Sequence, residues 1–177
     1  MRHRLPKLQD ILPAYAIIVA ILFGWSLVTF MWKLPSWLLY LNVGEMMTIL
    51  AYTLATDLLE SVFWLGSILL ITFVLPAGLL ADHFVERGSS ISLIVLGSAA
   101  LFVNRYATVG SGVARYALLW LLVTLLVAIL VVYLETRVQK IGVVIAWFAD
   151  RLTVFLYFLV PAGIISLVIV LVRNIFL

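Results

Sequence analysis

The chain has no cysteine among its 177 residues. That excludes disulfides, thiolate metal sites, iron–sulfur clusters and cysteine nucleophiles. Charge is scarce too. Charged residues make up 11% of the sequence, against roughly 25% in an average soluble domain. A surface needs more polar cover than that, so a soluble globular domain, a disordered segment and a nucleic-acid binder are all excluded. With two histidines, His3 and His83, the chain is also poor in metal ligands and general bases.

Apolar residues fill the space. They make up 66% of the chain, and the mean hydropathy is +1.27. Such a chain dissolves in lipid. Its unbroken apolar runs, such as residues 116–134, do not alternate as barrel strands do. The sequence therefore predicts an all-α, polytopic helix bundle forming a single transmembrane domain over residues 1–177. The net charge of +3 is small and sits in loop ends, where it orients the chain and meets anionic headgroups.

A span needs about 20 residues, and five are expected, at 11–32, 61–81, 90–103, 116–134 and 153–172. Arg2, Arg4 and Lys7 precede the first span, whose apolar core is longer than that of a cleaved signal peptide. Two amphipathic stretches, 44–56 and 138–150, read as short interfacial helices. In the first, Met47, Leu50, Ala51, Leu54 and Leu58 recur at helical spacing, with Glu45, Asp57 and Glu60 on another side. Asp57-Leu58-Leu59-Glu60 has the form of a helix start, an Asp cap followed three residues on by Glu. On this reading all three acids sit at water, as a wet helix face and a cap. The alternative is six spans, with residues 36–56 crossing. That places Glu45 mid-membrane at a cost of about 2.5–3.5 kcal/mol, and makes the three acids intramembrane cation or proton sites.

Few groups promise chemistry. Asp82, His83, Glu86 and Arg87 form the densest polar cluster, and His83 and Glu86 are spaced to meet on one helical face. Two potential ligands do not make a metal site, and the cluster reads equally as a solvated loop. Gly110-Ser111-Gly112 before a helix, with Arg115, has the makings of an anion or lipid-headgroup contact through backbone N–H groups, or of a plain turn. Two segments match: Phe73-Val74-Leu75-Pro76-Ala77-Gly78-Leu79 and Phe158-Leu159-Val160-Pro161-Ala162-Gly163-Ile164. Paired Pro and Gly interruptions occur in inverted-repeat transporters, but kinks at Pro76 and Pro161 beside Gly78 and Gly163 also serve packing alone.

The functional expectation is a small non-catalytic membrane subunit, scaffold or assembly partner, without cofactor. Its partners are the lipid bilayer and other membrane subunits or further copies of itself. The alternatives are a small transporter or channel and, third, a lipid-acting membrane enzyme. Five spans put Arg2, Arg4, Lys7, Arg87, Arg137, Lys140 and Arg151 on one side, and Lys33, Arg105, Arg115 and Arg173 on the other, seven against four. The positive-inside rule then places the N-terminus in the cytoplasm of a plasma (inner) membrane. Reporter fusions at both termini are expected to report from opposite sides, the N-terminus inside. Reports from the same side would mean that residues 36–56 cross the membrane.

Overall fold

The computed structural model describes residues 6–75, 78, 80–106 and 113–176; of Ala114, Arg115, Gln139 and Phe176 it describes the backbone only. These residues form five long helices: α1 (Leu8–Trp37), α2 (Val43–Val74), α3 (Phe84–Tyr106), α4 (Val113–Arg137) and α5 (Gln139–Phe176). A 3-10 turn, Ala81–His83, leads into α3. All five helices are long and apolar enough to cross a membrane, and no strand occurs among the described residues.

Both expected interfacial helices are corrected by the structure. Residues 44–56 belong to α2, a single helix of 32 residues with no break at Asp57. Its start lies at Asn42. There the side-chain Oδ1 accepts from Glu45 N–H at 2.9 Å, and Glu45 Oε2 accepts from Asn42 N–H at 2.8 Å. This reciprocal pair satisfies two orphan donors. The sequence holds two start signals of the same form fifteen positions apart. No proline or glycine separates Glu45 from Leu65, so nothing stops a helix begun at the first signal. Likewise 138–150 is the opening of α5, which runs for 38 residues straight through Pro161. Only Val138 separates it from α4.

The second span ends sooner than expected. α2 stops at Val74, and Leu75 is extended at φ −78, ψ 155. A residue before proline is pushed out of the helical region by the ring. Pro76 itself lies outside the described residues, as do Gly110, Ser111 and Gly112 and the side chain of Arg115.

α1 is the central post. Ala16, Ile17, Ile18, Val19 and Phe23 are at most 1% exposed, and the helix packs against α2, α3 and α5 at once. α4 leans mainly on α3 and turns Leu118, Leu122, Leu126 and Ile129 outward. Hydrogen bonds tie neighbours together. Tyr15 pairs with Ser61, Trp64 Nε1 donates to Ser92, Thr124 donates to Ser98, and Tyr52 donates to Asn174. The α1–α2 pairs run antiparallel, Tyr15 to Ser61 and Ser26 to Asp57.

Helices in lipid have no hydrophobic drive to associate, so close approach matters. It is close at Gly163, in the middle of the bundle. A Cβ there would stand 3.1 Å from Leu58 Cβ, 3.1 Å from Phe23 Cζ and 3.4 Å from the Leu54 carbonyl oxygen. Gly163→Leu is expected to cost about 1–3 kcal/mol by overpacking, read as a lower unfolding midpoint in detergent. Gly66→Ala, where nothing lies within 4 Å, serves as the control and is expected to cost nothing.

Candidate functional site

Polar side chains gather in two places. The first is the end of the bundle where α1 begins. Here the turn Ala81–His83 brings Asp82 and His83 beside Glu86 of α3, Asp10 of α1 and Ala146 of α5, around a cleft of about 300 Å³. His83 Nδ1 stands 3.5 Å from Glu86 Oε2. Glu86 also lies over Gly142, where a Cβ would fall 2.6 Å from its Oε2. Among the described residues the cleft lining contains no hydroxyl or thiol nucleophile, and no group of three metal-binding side chains exists.

Arg87 differs from its three sequence neighbours in the cluster. It is 7% exposed, and its guanidinium donates to the Gly78 carbonyl at 3.0 Å. This anchors the segment between α2 and α3. Behind it Ser90 donates to Glu135 of α4, and Glu135 is also buried. Glu135 and Asp10 emerge only from the structure as members of this end. In the sequence each is a lone acid at the edge of an apolar run.

The second place is the seam between α1 and α2. Asp57 lies 14 residues after the start of α2 and 17 before its end, and Glu60 lies 17 after and 14 before. The two acids therefore straddle the midpoint of a helix about 48 Å long at ~1.5 Å per residue. Both were expected at water. α2 runs through both without a break, so no separate short helix holds them. Glu45 alone of the three keeps an end position, in the capping pair.

Asp57 and Glu60 face different surroundings. Asp57 is 5% exposed. Its Oδ1 accepts from Ser26 of α1 at 2.7 Å, while Oδ2 is buried without a hydrogen-bond partner. Glu60 is exposed on the outer side of α2 beside Leu59 and Phe63. Ser26, one of several hydroxyl-bearing residues of α1, was missed by sequence reasoning and had no signal beyond its polarity.

A cleft of about 300 Å³ begins at Ser26 and rises between α1 and α2 past Thr29 and Thr53 to Lys33 and Trp37. Thr29 and Thr53 donate to the carbonyls of Trp25 and Ile49. A wider apolar groove of about 640 Å³ lies between α1 and α3, along Gly24 and Gly97.

The glycines of the two matched segments stand at different levels. Gly78 is at the end where α1 begins, against Arg87. Gly163 is in the mid-bundle against Phe23 and Leu58. No protein-family model, no curated protein and no solved structure matches the chain.

Proposed function

We propose that the chain is a non-catalytic membrane subunit that assembles laterally, through the outer face of α2, with a transmembrane helix of a different protein. The observation that carries this reading is the exposed carboxylate of Glu60 near the middle of a membrane-length helix. Facing lipid, such a charge costs several kcal/mol on insertion scales, about 2.5–3.5 for an acid at the centre of a helix. A partner side chain at the same depth removes that cost. Among the described residues no ion pair serves Glu60: α2 carries no lysine or arginine, and apart from Arg151 of α5 those of the other helices stand toward the ends. A second copy is thus a poorer match than a helix bearing a basic or hydrogen-bond-donating side chain.

The other polar groups fit the same reading. Several bond one helix to another and more bond carbonyls of their own helix, rather than gathering on one reactive centre. The levels of Gly78 and Gly163 give transport no facing pair of half-sites. The membrane is a plasma (inner) membrane with the N-terminus in the cytoplasm, supported by the seven-to-four Lys and Arg asymmetry.

A photocrosslinking side chain at Leu59, in the native membrane, tests the proposal. The expected product is one adduct of defined mass with a different membrane protein, absent when the probe is at Leu126 on α4. Glu60→Gln keeps a hydrogen-bonding group and should retain most of the adduct, whereas Glu60→Leu should abolish it. Adducts with the chain itself alone, or adducts indifferent to Glu60→Leu, overturn the reading.

A further inference from the structure

We infer that Asp57 is a proton-binding site, exchanging with water through the cleft between α1 and α2 and sealed from the opposite face of the membrane. The inference goes beyond lateral assembly and does not depend on it.

Asp57 lacks the partners that a buried carboxylate needs. A buried carboxylate is tolerated when its oxygens are bonded or its charge is paired. Here Ser26 serves one oxygen, and the other has no partner. The charged groups around it give no pairing. On its own helix the neighbouring charge is Glu60, of the same sign. On α1 the facing group is the neutral Ser26. At this level α5 contributes Leu156, Leu159, Val160 and Gly163, none of which titrates. The nearest cation along the cleft is Lys33, toward the end of α1. A carboxyl so placed is neutralised by taking up a proton from water. The step moves only a proton, and the carboxylate becomes the acid.

A metal cation is the rival occupant and fits poorly. Hard cations gather about six or more oxygen ligands. The side-chain oxygens identified at Asp57 are its own pair and the Ser26 hydroxyl. A proton needs one.

Ser26 connects the site to water, because the residue whose hydroxyl bonds Asp57 also lines the cleft. At about 300 Å³ the cleft is large enough to admit water. The hydroxyl oxygens of Thr29 and Thr53, having donated their protons to backbone carbonyls, still have lone pairs for it. In the other direction the seam closes. Tyr15 and Ser61 bond each other at 3.0 Å, and beyond them Ala14, Ile18, Ile68 and Phe84 form a buried apolar cluster. Exchange is thus one-sided, from the face where α1 ends.

The test uses the full chain in liposomes of neutral lipid, with the pH set separately on each face. A hydrophobic carbodiimide reacts with protonated carboxyls, and peptide fragmentation distinguishes Asp57 from Glu60. Asp57 should be modified at acid pH, with the yield falling about tenfold per pH unit above its midpoint. It should follow the pH of the face where α1 ends and ignore the other. Infrared difference spectra of the unmodified protein should show a protonated-carboxyl band under the same conditions, missing in Asp57→Asn. Because the chain is free of cysteine, Thr53→Cys reports on the path. A membrane-impermeant thiol reagent should modify it from the face where α1 ends only. Modification of Asp57 that is absent or independent of that pH, or a Thr53→Cys thiol that does not react from that face, overturns the inference.

Discussion

Inside a bilayer no water stands by to satisfy a stranded polar atom, so each hydrogen-bonding group needs a partner within the protein. α1 is where that requirement presses hardest. It is enclosed on three sides, and its polar atoms reach neighbours at two points, Tyr15 to Ser61 and Ser26 to Asp57. These bonds set the register of α2 against α1. The register in turn decides which side of α2 is buried with Asp57 and which side presents Glu60. The approach of α5 through Gly163 completes the enclosure, with Phe23 and Leu58 pressed against its backbone.

The two acids one turn apart on α2 show how a shared address can produce different chemistry. They have the same depth and nearly the same sequence context. Rotation about the helix axis gives Asp57 a serine and a cleft, and gives Glu60 the outer surface. A buried carboxyl beside a path for water is suited to proton exchange. An exposed one is suited to a partner. Both readings follow from the cost of charge in hydrocarbon, and they are independent because the two side chains point into different environments. The cluster at the end where α1 begins has a different character. His83, Asp82 and Glu86 stand at the start of α3 at that end of the bundle, and the Arg87 guanidinium donates to the Gly78 carbonyl.

Composition alone determined the class of the protein. With 66% apolar residues and 11% charged, only a structure dissolved in lipid is possible, and unbroken apolar runs choose helices over strands. The number of long helices was legible for the same reason, since a span needs a fixed length of apolar chain. Their boundaries were less so. Asn42-Val43-Gly44-Glu45 and Asp57-Leu58-Leu59-Glu60 carry the same start signal, and local pattern does not rank them. What ranks them is whether preceding carbonyls already serve the N–H groups, as those of residues 53–56 do within α2.

Tertiary structure decided the rest. Periodicity places Asp57, Glu60 and Glu45 on one polar side of a wheel, and a wheel does not say what lies opposite. Only the packing of α1 against α2 buries Asp57 on Ser26 and leaves Glu60 outside. Only the return of α5 brings Ala146 and Gly142 to His83 and Glu86, more than fifty residues away in sequence. A sequence encodes the apolar content and the local start signals residue by residue, so those are read directly. Contacts between helices depend on rotation and register, which many side chains settle jointly, and that sum exists only in the folded bundle.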